Sequence, residues 1–322
     1  MKQKLKHISY GILTNIPGFN KYFAIAVAGI PKKENLDDAA AKSYSIWLRH
    51  MVLAKKNGLN TNPKVVAELG PGDSLGAGLA ALIGGSKKYI ALDIVKFANV
   101  KENLDLFDKL VSLFASRVPI PFDGKFSEIV PSLENYDFPD DIFDSERLKI
   151  CLDETRIKKI RNAIISPESE QSIITYAVPW NDKTNINKNS INMIFSQAVL
   201  EHVDDLSKTY EAFKEWLSAD GYMSHQIDFR CHGTANQWNG HLCYSDLTWS
   251  IMEGKRLYFI NRMPISVHLE FISQENFDIS YIQVGKLESK ITNGDISEYF
   301  KHLIDDLEIS DAFIQAEKVK KL

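Results

Sequence analysis

The sequence predicts an α/β protein with a doubly wound, seven-stranded and mostly parallel sheet. Short apolar runs of strand length alternate with helical segments over most of the chain. The first of these runs ends in a glycine-rich turn that opens a helix of small residues, as close packing of a helix on a sheet requires. Ligands of such sheets bind at the carboxyl ends of the strands, so functional residues are expected at that edge.

Composition and charge are those of an ordinary globular protein. The 322 residues are 44% hydrophobic and 25% charged, enough for one large domain or for one domain with additions. A formal net charge of -4 gives no electrostatic reason to expect nucleic acid as a partner. Three cysteines without a CxxC spacing indicate a reducing cytoplasm rather than a disulfide framework. No apolar run approaches the roughly 20 residues of a membrane span, and the segment 22–31 is expected to be a buried strand or helix edge.

The chain is expected to begin with a helical extension over residues 1–60, followed by the main domain over residues 61–322. Apolar positions from Tyr44 to Leu53 follow a helical period, and Gly58 ends that helix. The next predicted elements are a strand at 65–69, a helix at 75–84 that stops at two glycines, and a strand at 88–92.

The alternation of strands and helices breaks over residues 103–168. These residues predict an inserted helical subdomain, with an amphipathic helix at 104–117 and a charged helix at 145–164 whose mixed charges indicate a solvated face. An insertion of this size usually caps a ligand site or builds an interface, and it can also join two copies of the chain. After it, strands are predicted at 172–178, 190–199, 221–227, 277–285 and 311–319, and helices at 206–218, 265–276 and 295–307.

The glycine turn ELGPGDSLG carries two carboxylates, Glu68 and Asp73, and has GxGxxxG spacing rather than the GxGxxG of dinucleotide-binding turns. Two negative charges oppose the binding of a pyrophosphate, and the absence of GK[ST] excludes a Walker A loop. Carboxylates favour a ligand with an ammonium group and no phosphate, such as S-adenosylmethionine. Asp93 ends the second strand, where one carboxylate can accept both hydroxyls of a ribose. The alternative is a GxG turn of an unrelated α/β protein in which Asp93 only caps a strand.

The stretches ELGPGDSLG, ALDIV and INMIFSQAVLEHV resemble successive motifs of the class I S-adenosylmethionine-dependent methyltransferases, over roughly residues 60–102 and 170–318. The resemblance implies an enzyme that takes its methyl group from S-adenosylmethionine and releases S-adenosylhomocysteine. It places the methionine portion at the glycine turn, the ribose at Asp93 and the methyl donor above the residues that follow strand four. The cofactor-binding residues it implies are Glu68, Gly70, Pro71, Gly72, Asp73, Asp93, Ile94, Gln197 and Ala198.

The sequence departs from the family pattern at three points. Ser74 stands at the usual third glycine of the turn, and Asn192 stands where an acidic residue often precedes strand four. The acidic residue that often contacts adenine after strand three has no clear equivalent. Tyr176 or Trp180 lies near that position, and an aromatic ring there could stack on the adenine.

Histidines concentrate at the predicted carboxyl edge, where five of the eight lie between residues 202 and 268. A base is needed when the methyl acceptor is a hydroxyl, because the hydroxyl has to lose its proton. His232 is the first candidate for this base, with Asp228 orienting it or binding acceptor hydroxyls. His202 is the second candidate, although the resemblance also implies a histidine that only orders the loop.

Two further histidines, His225 and His241, are candidates for contact with the acceptor. His225 could instead be a satisfied core residue of strand five, and His241 could be merely exposed after a turn. Together with Asp228 and His232 they could supply metal ligands, but their spacing matches no compact motif, so no metal site is expected.

Residues 229–268 are predicted to form a lid over the carboxyl edge, because they replace a short link between strand five and the next helix. Their aromatic rings and polar groups suit a carbohydrate, so the preferred acceptor is a hydroxyl of a sugar or glycan precursor. Trp238, Asn261 and Arg262 are the substrate-binding candidates here, and Arg262 could instead pair with a phosphate or carboxylate. An aromatic-rich packed lid is an equally good interpretation.

The predicted function is therefore that of a cytoplasmic methyltransferase acting on a small molecule. Within that class the alternative is O- or N-methylation of another metabolite or natural product. Outside it, the alternative is a methyltransferase-like interaction module that works through its insertion. The intact turn with Glu68 and Asp93 favours the enzyme.

Overall fold

The computed structural model describes residues 2–16, 35–96, 99–180, 186–292 and 294–319. Within them lie seven strands: β1 (Val65–Leu69), β2 (Lys88–Leu92), β3 (Ile174–Ala177), β4 (Ile191–Gln197), β5 (Leu217–Asp228), β6 (Phe277–Lys286) and β7 (Ile309–Lys318). They form one sheet in the order β3-β2-β1-β4-β5-β7-β6, in which β7 is antiparallel to both its neighbours and the other pairs are parallel. The predicted doubly wound, mostly parallel sheet is confirmed, and its winding reverses between β1 and β4.

Helices cover both faces of the sheet. They are α1 (Lys2–Leu13), α2 (Leu36–Lys56), α3 (Gly76–Ile83), α4 (Val100–Ala115), α5 (Ser145–Cys151), α6 (Glu154–Ile165), α7 (Leu206–Trp216), α8 (Asp246–Glu253) and α9 (Ile265–Gln274). On one face, α2, α3 and α4 bury Trp47, Leu79 and Phe107 in a common core. On the other face, α7 and α9 bury Phe213 and Ile272 in a second core. The two cores explain why the central strands are apolar on both sides.

Helix α2 shares its core with the sheet although it belongs to the segment 1–60. Trp47 packs edge-on against Phe195 of β4, with ring centroids 5.8 Å apart. His50 Nδ1 lies 2.6 Å from the hydroxyl of Ser224 on β5. Asn35 begins the helix by accepting a hydrogen bond from the backbone of Asp37. The apolar segment 22–31 lies outside the described residues.

The insertion contains two short helices where the sequence predicts one at 145–164. Asp153 interrupts the run because its side chain caps α6 by accepting from the backbone amides of Thr155 and Arg156. Contrary to the prediction of a solvated face, the basic residues of these helices do not all face solvent. Arg147 donates to the carbonyl of Gly84, and Arg156 donates to that of Leu82, so both satisfy the carboxyl end of α3.

The loop between α4 and α5 runs to the carboxyl edge of the sheet, where ligands are expected. The carbonyl of Val130 in this loop accepts a hydrogen bond from Gln197 at the end of β4, at 3.0 Å. Arg49 of α2 donates to the carbonyls of Pro121 and Pro131 and holds the same loop from beneath. The insertion therefore reaches the carboxyl edge through this proline-rich loop, while α5 and α6 lie at the other end of α3.

The segment 229–268 lies beside the carboxyl edge and contains a 3₁₀ turn (Gly240–Cys243) and α8. Helix α1 packs directly on α8, so closely that a Cβ on Gly11 would lie 1.8 Å from the carbonyl oxygen of Ile251. Thr14 accepts a hydrogen bond from the backbone amide of Lys255 at 2.9 Å. The helix predicted at 295–307 is a 3₁₀ helix (Glu298–Asp306). Among the described helices, none has the length and apolar character needed to cross a bilayer.

Candidate active site

The glycine turn after β1 touches the loop after β4, at the point where the winding of the sheet reverses. Gly70 and Gly72 both have a φ of +68°, a conformation that side chains other than glycine rarely adopt. A Cβ on Gly70 would lie 2.6 Å from the side chain of Val199, so this position also has no room for one. The turn is therefore a cradle whose backbone is bare, as close approach of a ligand requires.

Asp93 lies beside this turn and is only 4% exposed. Its Oδ2 accepts from the backbone amide of Gly72 at 3.2 Å, and its Oδ1 accepts from the amide of Ile94 at 2.7 Å. The hydroxyl of Tyr258, from the lid, donates to the same carboxylate; burial, followed by the charge of Asp93, raises the pKa of that hydroxyl. Tyr258 has a φ of +61°, which indicates backbone strain at this contact.

Glu68 does not face the ligand edge as an exposed charge. It is buried, accepts a hydrogen bond from the hydroxyl of Tyr89 at 2.6 Å, and lies near the backbone amide of Gly78 in α3. Burial raises its pKa to about 7. Asp73, by contrast, is exposed on the turn. The two carboxylates, which look alike in the sequence, therefore differ in burial.

The residues after β4 form the floor between the two halves of the site. The amide of Ala198 donates to the carbonyl of Gln226 at 3.0 Å, and its φ of +54° is again strained for a residue with a side chain. Gln197 donates to the insertion loop, and its Oε1 is buried without a hydrogen-bond partner among the described residues. Gln197 is thus held in place with one acceptor unused.

An apolar cleft of about 380 Å³ opens between β3, the start of α4 and the end of α6. Leu75, Ile164 and Tyr176 line it, and the amino group of Lys96 lies 5.5 Å from the centre of the Tyr176 ring. Trp180, the other aromatic candidate for an adenine contact, packs edge-on against Trp216 on the opposite face. The geometry therefore favours Tyr176 of the two.

A second cleft, of about 400 Å³, lies between the end of β5 and the lid. Its polar lining includes Glu201, Asp228, His241 and Arg262, and Trp238 forms part of its wall. Of the predicted catalytic residues, Asp228 lines this cleft, and His232 lies next to it, with its Nε2 3.3 Å from Oδ2 of Asp228. Polar side chains beside an aromatic wall are typical of sites that bind small molecules.

Asp228 is the centre of a hydrogen-bonded group at the end of β5. Arg230 donates to both of its oxygens, at 2.8 Å from Nε to Oδ1 and 2.6 Å from Nη2 to Oδ2. Nε2 of His232 lies 3.3 Å from Oδ2. Burial alone would raise the pKa of Asp228, but the hydrogen bonds from His232 and Arg230 outweigh it and hold that pKa well below its ordinary value. The predicted orientation of His232 by Asp228 agrees with this geometry.

His202 and His232 lie side by side, with ring centroids 5.1 Å apart. His202 is largely enclosed, and burial lowers its pKa to about 4, whereas the side chain of His232 is 32% exposed and accessible to an acceptor. Glu201 lies next to them and is buried, which raises its pKa to about 8. The amides of Glu201 and Asp228 lie near enough to oppose that rise, but neither makes a hydrogen bond of normal geometry to the carboxylate.

Three of the predicted substrate contacts have partners within the protein. His225 is enclosed in the core, where it stacks on Phe213, lies 2.8 Å from the hydroxyl of Ser196 and has its pKa lowered by burial to about 3. Asn261 donates to the carbonyls of Leu200 and Val203. The burial of His225 follows from its place in β5, because side chains at alternate residues of this strand face opposite cores.

The third of these residues is Arg262. Its guanidinium donates to the carbonyl of Tyr244 and to Asp246, and it lies over the rings of Trp249 and Phe300. It is thus a packing residue of the lid whose Nε alone lacks a partner among the described residues.

The remaining two candidates, His241 and Trp238, line the second cleft, as Asn261 and Arg262 also do. His241 is buried rather than exposed, and burial lowers its pKa to about 3. Nε1 of Trp238 donates to the carbonyl of Glu288, which fixes the ring at the wall.

Three residues of the site were missed by the sequence analysis. Glu201 stands beside His202 in the LEH stretch, and Arg230 stands between Asp228 and His232, so their proximity to predicted residues could have marked them. Tyr258 has no signal in the sequence, because its contact with Asp93 joins segments far apart in the chain.

Comparison with known proteins gives structural similarity only. No protein-family model matches the chain, and no curated protein sequence matches it. A SAM-dependent methyltransferase from Methanosarcina mazei is 12% identical and covers 83% of this chain and 97% of its own, with a TM-score of 0.43. One from Mesorhizobium loti is 12% identical, with 80% and 91% coverage and a TM-score of 0.38.

A geranyl diphosphate C-methyltransferase from Streptomyces coelicolor A3(2) is 10% identical, with 84% and 77% coverage and a TM-score of 0.41. Its structure contains Mg²⁺, geranyl diphosphate and S-adenosyl-L-homocysteine. Sequence identities and TM-scores this low do not bear on the reaction. The fold is assigned from the strand order of the sheet. The solved structures named here as similar to this chain are all described as methyltransferases.

Proposed function

We propose that the protein is an S-adenosylmethionine-dependent methyltransferase acting on a small molecule. The observation that carries this proposal is the buried carboxylate of Asp93 beside the bare backbone of the glycine turn. Asp93 can accept both hydroxyls of a ribose, and the space beside Gly72, where a Cβ would meet no atom within 4 Å, leaves the turn open to the methionine portion. The cleft lined by Tyr176 and Leu75 has the apolar character that an adenine ring requires.

S-adenosylmethionine supplies a methyl group on a sulfonium, which leaves as the sulfur of S-adenosylhomocysteine. The protein then has to align an acceptor with that carbon, and the second cleft opens beside the residues that follow β4. For a hydroxyl acceptor, His232 is accessible and is oriented by Asp228, so it can take the proton as the oxygen attacks. The charge of Asp228 would stabilise the imidazolium that results.

The acceptor we propose is a hydroxyl of a sugar or glycan precursor. The cleft combines a tryptophan face at Trp238 with polar groups at Asp228 and His241, which is the combination that sugars require. O- or N-methylation of another metabolite uses the same cleft and is the alternative within the class. A non-catalytic interaction module is the alternative outside it, and the accessible His232–Asp228 pair favours an enzyme.

Isothermal titration of the full chain with S-adenosylhomocysteine tests the cofactor. We expect binding of one equivalent, weakened at least tenfold in Asp93→Ala, because a charge-assisted hydrogen bond contributes about 1.5–3 kcal/mol. Asp220→Ala is the matched control, since Asp220 is an exposed carboxylate on β5 at the opposite edge of the sheet. Heat on titration with NAD but not with S-adenosylhomocysteine would overturn the proposal.

Transfer of labelled methyl groups to a set of nucleotide sugars tests the acceptor. We expect product with at least one sugar, and a loss of turnover in His232→Gln with little change in cofactor affinity. Products formed only from phenols, amines or carboxylates would refute the proposed sugar acceptor but would support the methyltransferase activity. Cofactor binding without product from any class of acceptor would favour the interaction module.

A further inference from the structure

We propose that Glu201, His202 and His232 form a binding site for a divalent transition-metal ion at the edge of the second cleft. Each of the three residues offers one ligand atom, and these atoms lie within 4.8 Å of one another. Ligands about 2.1 Å from a metal ion lie roughly 3–4.2 Å apart, so small side-chain rotations would close the shell. Binding of the ion stands independently of methyl transfer, whereas its use in catalysis rests on the proposed function.

The carboxylate of Glu201 is the second, independent sign of a ligand. The residue is only 3% exposed, and neither of its oxygens has a hydrogen-bond partner among the described residues. A buried carboxylate without a partner is costly, and native structures normally supply one. A cation between Glu201 and the two imidazoles would satisfy both the carboxylate and Nδ1 of His202, which is also buried without a partner in the described chain.

The two loops that carry the ligands are held in place by other hydrogen bonds. Asn261 donates to the carbonyls of Leu200 and Val203 at 2.8 and 2.9 Å, and its backbone amide donates to the carbonyl of Glu201 at 2.7 Å. Three hydrogen bonds from Asn261 thus fix the turn Leu200–His202. Ligands held in this way lose little entropy when a metal binds.

His232 has the outer partner that metal-binding histidines usually have. Its Nε2 lies 3.3 Å from Asp228, which Arg230 in turn clamps through both oxygens. A hydrogen bond from Nε2 to the carboxylate leaves a lone pair on Nδ1 for a metal, and it fixes the ring. The backbone of His232 has a φ of +45°, and Gly233 follows with +77°, so the side chain is held by a strained turn.

Two imidazoles and one carboxylate favour Zn²⁺, Mn²⁺, Fe²⁺ or Co²⁺ over Mg²⁺ or Ca²⁺, which prefer oxygen ligands alone. Three protein ligands leave at least one open position, and the exposed side of His232 faces solvent where an acceptor could enter. An acceptor hydroxyl bound there would lose its proton more readily, to solvent, before its oxygen attacks the methyl carbon. In this arrangement His232 is a ligand and the ion replaces it as the group that activates the hydroxyl.

Titration of the chelator-treated full chain with Co²⁺, followed by heat and by visible absorption, tests the site. We expect one equivalent bound with nitrogen-ligand absorption bands, and at least a hundredfold loss of affinity in Glu201→Gln and in His232→Gln. Asp228→Asn should weaken binding by about tenfold to a hundredfold, as a positioning residue does. The matched control is Glu253→Gln, the same change on a half-buried lid carboxylate outside the cluster, which should bind like the wild type.

Absence of Co²⁺ binding by the wild type, or equal affinity in Glu201→Gln, would overturn the site. Circular dichroism and S-adenosylhomocysteine binding show whether each variant is folded. A measurement that needs no variant is the broadening of the His202 and His232 imidazole NMR signals by Mn²⁺, and unbroadened signals would also overturn the proposal. Cofactor binding without metal binding refutes this inference alone, and metal binding without cofactor binding refutes the proposed function alone.

Discussion

Replacing Glu68 by glutamine tests whether the carboxyl group beside the glycine turn is protonated in the free protein. The side chain is buried, and burial raises its pKa from 4.5 to about 7. In the unfolded chain the carboxyl has its ordinary pKa, so the folded state retains the proton to a higher pH. The contribution of Glu68 to stability is therefore complete below pH 4.5 and is lost as the pH rises through about 7. Glutamine has no proton to lose and can still accept from Tyr89.

The size of the effect follows from the two pKa values. A shift from 4.5 to about 7 corresponds to about 3 kcal/mol at roughly 1.36 kcal/mol per unit. Most of this falls between pH 5 and pH 8.5. Urea unfolding of both proteins at these two pH values gives the free energies of unfolding. We expect the wild type to lose about 2–3 kcal/mol more than Glu68→Gln between them, because the other titrating groups contribute equally to both proteins.

Equal pH dependence of the two proteins would refute this reasoning, since it would mean that Glu68 is already ionised in the folded state at pH 5. Glu308→Gln, a change at an exposed carboxylate, is the matched control and should leave the pH dependence unaltered. The result also bears on the cofactor. An ammonium group bound near the turn would favour the ionised form of Glu68, so cofactor binding should tighten between pH 5 and pH 8.5.

Three further changes test the site and its supports. Tyr258→Phe removes the donor to Asp93, and we expect tighter binding of S-adenosylhomocysteine in calorimetry, by about fivefold for a bond of about 1 kcal/mol; weaker binding would mean that the tyrosine helps to hold the ribose. Asn261→Ala removes two hydrogen bonds to the loop after β4, and it should lower the unfolding free energy by about 2–4 kcal/mol in urea; a loss below 0.5 kcal/mol would contradict the role of Asn261 in fixing that loop. Gly70→Ala places a Cβ against the side chain of Val199 at positive φ, so cofactor binding in the same calorimetry should be abolished, and wild-type affinity would show that the turn is not the cradle.

The strands were predictable because their limits are local. Val65–Leu69 and Lys88–Leu92 are apolar runs closed by glycine, proline or aspartate, and the structure has the same bounds. The single helix predicted at 145–164 was wrong because Asp153 competes for backbone amides at mid-helix, and a hydrophobic period does not register that competition.

The site was harder to predict, since composition does not show which polar groups are already satisfied. Asn261 and Arg262 look like ligand-binding residues in the sequence, yet carbonyl oxygens of the lid and of the β4 loop occupy them. The cluster of Glu201, His202 and His232 joins two loops some 30 residues apart, so no compact spacing marks it. Asp93 was predictable because a strand end is a local signal.

The close contact between Gly11 and Ile251 has a practical consequence for work with this protein. Helix α1 packs against the segment that leads to Tyr258, which contacts Asp93. A bulky affinity tag fused just ahead of Lys2 is therefore expected to disturb this contact. Lys318, at the end of β7, pairs with the start of β6 at the far edge of the sheet. A tag placed after Lys318 is therefore expected to disturb measurements of ligand binding less.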